Sequence, residues 1–229
     1  MWILGHRGAS KAAPENTLAA FSLAFAQHAH GIELDTYQVD GQIVVIHDRW
    51  LNRTTNGTGL VTCQTLPYLM SLDAGNGERI PLLQDVFRLL PHTALFNIEI
   101  KHLYCTESWI ATVQQGIRQS GFPVENIIIS SFNHRWLRSI QQAWSGVKIG
   151  ALTATYPQSG LGFAEDLSAY SLHMALDVVD ENYVREAKQA GLKVLVYTVD
   201  HPQDMVMLAD WGVDGIFTNV PDIAVNTLG

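Results

Sequence analysis

Three features of the sequence predict an α/β fold of the closed (β/α)8, or TIM-barrel, type. Short β-branched runs alternate with longer stretches of helical spacing, 47% of the residues are hydrophobic, and 229 residues suit one such barrel. Nine runs read as strands, one more than the fold needs. The surplus is local: the two runs flanking Val39-Asp40-Gly41-Gln42 have no helix between them, and Asp-Gly is a strong hairpin signal. Residues 43–47 are therefore read as the returning arm of a hairpin on the second barrel strand. The chain is expected to form a single domain over residues 1–229, with a short loop excursion over 50–79.

In chain order, residues 2–5 predict the first strand, and Gly5-His6-Arg7-Gly8 the loop at its C-terminal end. Pro14-Glu15-Asn16-Thr17 carries helix-start signals, with Asn16 or Thr17 as N-cap and Leu18, Phe21 and Phe25 as a core-facing stripe. Residues 31–35 and 43–47 form the hairpin arms, and 50–79, rich in Gly, Thr and Asn, shows little periodicity. Helix is then expected over 82–90, 107–120, 136–144, 182–190 and 203–211. Strand is expected over 95–100, 127–130, 147–152, 172–176, 194–199 and 215–217. Residues 156–170 read as a looser segment, and a short helix closes the chain.

The charge balance excludes one class of partner. With 14 Lys and Arg against 22 Asp and Glu, the net charge of -8 argues against nucleic acid, which needs clustered cations to neutralise phosphates. An anionic substrate must be met locally, by a metal or by a few placed cations. Cys63 and Cys105 sit in no metal or redox spacing and read as reduced thiols of a cytoplasmic protein. The opening residues lack the pattern of a secretory leader, and no stretch is long and apolar enough for stable membrane insertion. Homo-oligomerisation is left open.

The polar residues that carry chemistry fall at strand ends. On a strand of period two, Glu33 and Asp35 leave the same face, and two adjacent carboxylates repel unless a cation or a proton lies between them. Glu99 and Lys101 share a face in the same way, adding a third acid and a cation. Each group has a bland alternative: exposed acids, a barrel ion pair, a polar loop at His6-Arg7, a turn cap at His47-Asp48. Their common placement at the C-terminal ends of strands, where barrels of this type put their chemistry, favours a shared site. His47 joins it only if it shares a face with Glu33. A two-residue Asp40-Gly41 turn would set Leu34 opposite His47, whereas a three-residue loop would pair Gln38 with Gln42 and Glu33 with His47. The expectation is thus a three-residue loop with Gly41 at positive φ, or a bulge between Val39 and His47.

His6-Arg7-Gly8, Pro14-Glu15-Asn16-Thr17 with Ala20-Phe21, Glu33-Leu34-Asp35, Val45-Ile46-His47-Asp48, Arg53-Thr54-Thr55 and Glu99-Ile100-Lys101 occur in that order. Ser130-Ser131-Phe132, Tyr197-Thr198-Val199-Asp200 and Gly212 to Asn219 continue the pattern almost to the end of the chain. This ordered set resembles the glycerophosphodiester phosphodiesterase family. The resemblance implies hydrolysis of a small-molecule glycerophosphodiester to sn-glycerol 3-phosphate and an alcohol, with one divalent cation, Mg2+ or Ca2+. It implies His6 and His47 as the acid/base pair, Glu33, Asp35 and Glu99 as metal ligands, and Arg7 and Lys101 as phosphate contacts. Tyr197 is carried over as a substrate contact, at a position where the family usually has Trp in Trp-Thr-Val-Asn. The donor chemistry agrees, since three carboxylates suit Mg2+ or Ca2+ better than zinc. Three other readings stand beside it: a lipid-directed phosphodiesterase of lysophospholipase D or sphingomyelinase D type, an aldolase-type barrel, and a non-catalytic ligand-binding barrel.

Overall fold

The computed structural model describes residues 1–157 and 160–229. Positions 158 and 159, in the segment expected to be loose, lie outside the described residues. Nine strands form one sheet: β1 (Trp2–His6), β2 (Gly31–Val39), β3 (Gln42–Val45), β4 (Leu95–His102), β5 (Ile127–Ser131), β6 (Lys148–Thr153), β7 (Ser171–Ala175), β8 (Lys193–Tyr197) and β9 (Gly215–Thr218). All of them except β3 are parallel to their neighbours, and pairing of β1 with both β2 and β9 closes an eight-stranded barrel. This is the expected (β/α)8 architecture.

Helices pack outside the ring: α1 (Leu18–Ala26), α3 (Leu83–Leu89), α4 (Thr106–Ser120), α5 (His134–Ala143), α6 (Gly162–Asp166), α7 (Glu181–Gln189), α8 (Pro202–Asp210) and α9 (Pro221–Leu228), with α2 (Leu66–Ser71) in the excursion. The loose segment thus contains one short helix, α6. Thr17 is the N-cap of α1, its hydroxyl accepting from the Ala20 amide. Asn16, the other candidate, is left for a different task described below. Between strands and helices runs the main core, with Ile32, Leu34, Phe96, Ile98 and Trp109 fully buried or nearly so. Inside the barrel, Leu4, Leu195 and Phe217 close the floor, so the polar interior residues sit above an apolar plug.

The hairpin differs from expectation. Val39 pairs with Gln42 and Gln38 with Ile43, which leaves a two-residue turn. Asp40 (φ 49) and Gly41 (φ 74) both take positive φ, the type I′ geometry that fits the twist of the flanking strands. Gly41 is left-handed as expected, but the three-residue loop does not form. The irregularity in this part of the sheet falls instead on β4, where Thr36 pairs with Ile100 and Tyr37 with His102, leaving Lys101 as the extra residue.

One edge of β2 is occupied by β4 along residues 31–37, so β1 and β3 must share the other. β1 takes residues 31–33, and β3 takes residues 36–39, above the barrel mouth. The excursion folds over this extension with its own small core of Tyr37, Val44, Ile46, Leu51, Val61, Leu69, Leu72 and Ile80. The segment expected to be a polar loop is therefore a packed cap on one side of the mouth. Cys63 and Cys105 are unbonded. Among the described residues no helix is long and apolar enough to cross a membrane.

Candidate functional site

Alternation along β2 and β4 turns Glu33, Asp35, Asn97 and Glu99 inward, while Ile32, Leu34, Ile98 and Ile100 enter the outer core. One ligand oxygen from each of Glu33, Asp35 and Glu99 lies within 4.8 Å of the others, and all three residues are buried. Such a cluster is costly without compensation. Burial, and then the charges of Asp35 and Glu99, push the Glu33 carboxyl well above its ordinary range. Burial and the Asp35 charge push Glu99 up to about 7. Asp35 goes the other way: burial would raise it, but Arg7 and Lys101 hold it below the usual value.

Arg7 and Lys101 meet the acids directly. Arg7 Nε lies 3.2 Å from Asp35 Oδ2, and Lys101 Nζ lies 2.9 Å from Glu99 Oε1 and 3.6 Å from Asp35 Oδ1. The Arg7 backbone amide donates to Glu33 Oε2 at 3.0 Å. Arg7 takes positive φ (58) and is followed by Gly8 (φ 82), where a Cβ would come within 2.5 Å of the Ala20 backbone. Glycine thus lets α1 press against this loop and holds Arg7 over the acids. Asn16, also at positive φ, donates from Nδ2 to Asp35 Oδ2 at 2.8 Å and accepts the Asp35 amide at 3.3 Å.

Not every buried polar atom is paired. Glu33 Oε1 and Asn97 Oδ1 lie inside the barrel without a hydrogen-bond partner, and the Arg7 Nε–Asp35 approach is close without being aligned as a hydrogen bond. An unpaired carboxylate oxygen among three converging acids is what an oxygen-preferring cation would satisfy. The residues present therefore fit one divalent ion.

The two histidines are held by separate chains of hydrogen bonds. His6 Nδ1 lies 2.8 Å from Asn219 Oδ1. The Asn219 amide group is oriented by Asp200, whose Oδ2 accepts from Asn219 Nδ2 at 2.7 Å, so Oδ1 is the acceptor for both Ser10 Oγ and His6. His6 accordingly carries its proton on Nδ1 and turns Nε2 toward the acids, 4.0 Å from Glu33 Oε2. Burial, and then the Arg7 charge, lower its pKa to about 4. His47 Nδ1 lies 2.7 Å from Asp48 Oδ1; a carboxylate can only accept, so here too the proton is on Nδ1.

His47 does not take the expected register opposite Glu33. The β2–β3 ladder stops at Thr36–Val45, a last amide bond runs from Ile46 to the Asp35 carbonyl, and the chain then bends. Continued alternation would have sent His47 with Val45 toward the helix layer. The bend releases it from that alternation. Tyr197 sits at the rim, its hydroxyl donating to the Thr153 carbonyl at 2.8 Å and its ring edge-on to half-exposed Phe132.

A small cavity inside the barrel is lined by residues that include His6, Glu33, Asn97, Glu99, His173 and Tyr197. His173 was not singled out in the sequence; it is fully buried, bonded to Ser171 Oγ at 2.9 Å, and packed on Phe217. A wider groove of about 580 Å³ opens at the opposite end of the barrel, beside Trp2, Phe25, His28 and His30, and contains none of the acids. Sequence reasoning gave no role to Ser10, Glu15, Arg53, Asp200 or Asn219, and offered Asn16 only as a helix cap. The available signal was that all except Ser10 fall within the ordered motifs.

The model of the "Glycerophosphoryl diester phosphodiesterase family" matches residues 6–223. A glycerophosphodiester phosphodiesterase from Caldanaerobacter subterraneus subsp. tengcongensis is 40% identical over 234 residues, covering 98% of this chain and 96% of that protein. An Oleispira antarctica phosphodiesterase, solved in complex with the product sn-glycerol-3-phosphate, superposes with a TM-score of 0.90 at 30% identity, over 100% of this chain and 96% of that one. A glycerophosphodiester phosphodiesterase from Agrobacterium tumefaciens gives 0.83 at 29% identity, over 99% of both chains.

Proposed function

We propose that this chain, which belongs to the glycerophosphoryl diester phosphodiesterase family and is a phosphoric diester hydrolase, cleaves glycerophosphodiesters to sn-glycerol 3-phosphate and an alcohol with His6 and His47 as its acid/base pair. One observation carries the assignment of roles. His6, anchored through a protonated Nδ1, turns Nε2 toward a cluster of three acids and two cations, and His47 carries the same kind of Nδ1 anchor on the segment that follows β3.

With Nδ1 engaged, each ring has only Nε2 with which to exchange a proton. One Nε2 takes a proton from the attacking water, or from a neighbouring glycerol hydroxyl whose cyclic phosphate water then opens, as the new P–O bond forms. The other gives a proton to the departing alkoxide as the old P–O bond breaks, and the two rings are reset by exchange with solvent. Each transfer of this kind is worth roughly 10²–10⁴-fold in rate. Arg7 and Lys101, already poised beside the acids, stabilise the charge that builds on the phosphoryl oxygens. Glu33, Asp35 and Glu99 would hold the divalent cation, which when bound supplies Lewis-acid polarisation of a phosphoryl oxygen. The low-lying floor of Leu4, Leu195 and Phe217 keeps the reacting end of the substrate at the level of the acids.

The test is direct. The protein is incubated with glycerophosphocholine and Mg2+ or Ca2+, and glycerol 3-phosphate is assayed enzymatically; release that is abolished by chelator and restored by the ion is expected. No glycerol 3-phosphate with either ion would overturn the reading.

A further inference from the structure

The excursion sends one long side chain back to the site. Arg53, on the stretch that follows His47, donates from Nε and NH2 to Asp48 Oδ2 and Oδ1 at 2.7 and 2.8 Å. The same guanidinium donates from NH1 and NH2 to Glu15 Oε2 and Oε1, both at 2.7 Å. Glu15 in turn accepts from Arg7 NH1 at 2.9 Å, and Asp48 accepts from His47. The two forks thus join the partner of an acid/base histidine to the partner of the arginine over Asp35. We propose that Arg53 is a positioning residue for the reaction: by bonding Asp48 and Glu15 at once, it fixes His47 and Arg7 relative to each other across the mouth.

Chain stability is a poor account of this arrangement. The Arg53 side chain is 50% exposed, and ion pairs at such positions are screened by solvent and contribute little to folding. What the geometry does supply is direction. A planar guanidinium bonded at both edges permits few orientations of either carboxylate, and each carboxylate orients a group that faces the substrate. Glu15 lies before α1 and Arg53 lies in the excursion, so the clamp also ties the cap to the barrel loop beneath it. The inference rests on the proposed reaction for its catalytic meaning, but the clamp itself can be read separately.

Arg53→Met, Arg53→Lys and Arg53→Ala are compared with the wild-type chain. Loss of a group that orients another through hydrogen bonds typically costs about 10–100-fold in activity. That loss is expected in kcat for Arg53→Met, with KM changed by less than about threefold and thermal stability nearly unchanged. Lysine keeps the charge but cannot span both carboxylates, so Arg53→Lys should stay close to Arg53→Met. Guanidinium chloride, at a concentration that leaves the wild type folded and fully active, should restore part of the kcat of Arg53→Ala. Wild-type kcat in Arg53→Met, full recovery with lysine, or a loss confined to KM would overturn the proposal. If the wild-type chain itself releases no glycerol 3-phosphate, the reaction fails, and the clamp is then judged by nitrogen-15 NMR of the His47 ring. A ring held with its proton on Nδ1 in the wild type and mixing tautomers in Arg53→Met supports it; an unchanged ring overturns it.

Discussion

His6 and His47, the proposed acid/base pair, are held by opposite means. His6 ends a barrel strand, has a side chain 16% exposed, and is anchored through Asn219 and Asp200, which follow β9 and β8. The closed ring of hydrogen bonds fixes these elements, so the orientation of His6 follows from barrel closure. His47 lies on a bend beyond the last rung of β3 and is anchored by its neighbour Asp48 and by Arg53 from the excursion. Its side chain and that of Asp48 are 29% and 26% exposed. One imidazole is held by the fold, the other by a cap laid on the fold. The same chemistry can therefore have a rigid half and an adjustable half.

The largest effects should come from removing the rings themselves. His6→Ala and His47→Ala are each expected to lower kcat by roughly 10²–10⁴-fold. A substrate with a phenolic leaving group of low pKa separates the two, because it departs without protonation. The variant lacking the acid should recover on that substrate, and the variant lacking the base should not. If both variants stay within a few-fold of wild type on glycerophosphocholine, neither residue is in the acid/base pair.

Smaller effects probe the anchors. Asp200→Asn removes a charge that fixes the Asn219 amide, and a fall of about 10–100-fold in kcat is expected. Its anchor sits within the barrel wall, so added guanidinium should leave this variant unrepaired, in contrast to Arg53→Ala. Equal rescue of both would erase the distinction between the two halves.

The smallest effect concerns the buried acids. Glu33 and Glu99 have folded-state values above the ordinary 4.5, so the stability they contribute is full below 4.5 and is lost as pH rises through those raised values, about 7 for Glu99. His6 and His173, lowered to about 4 and about 3 by burial, act with the opposite sign, but their contribution is complete above 6.5. Asp35, depressed below 3.8, changes stability only in acid. From pH 6.5 to 8 the chelated protein should therefore lose melting temperature as pH rises, and Mg2+ or Ca2+ should flatten that slope. A chelated protein whose melting temperature is constant or rises over this window would show that the acids are not crowded as described.

Much of this was legible in the sequence, for identifiable reasons. Period-two alternation at Glu33, Asp35, Glu99 and Lys101 fixed their common face, and barrel topology fixed the end of the barrel on which they lie. The hairpin register was misjudged because a chemical requirement on His47 was set above the Asp40-Gly41 signal, which names the two-residue turn that forms. Strand alternation did not bind His47, since the ladder ends before it. The anchors were not legible as anchors: Arg53 meets Glu15 across 38 positions and Asn219 meets His6 across 213, distances that only folding closes. Asn16 read as a helix cap because Asn and Thr are interchangeable in that role, and only the folded chain shows Thr17 taking it.

The sharing of one edge of β2 has a consequence for how such enzymes can diversify. The ring that closes the barrel runs from β1 through β2 to β4 and onward without any residue of 40–81, whose one strand, β3, pairs only with the part of β2 that projects above it. Length changes in that stretch leave the staves untouched and cost little in loop closure. The stretch is thus an exchangeable module, free to be remodelled toward new leaving groups, provided that every replacement brings its own histidine and the means to aim it.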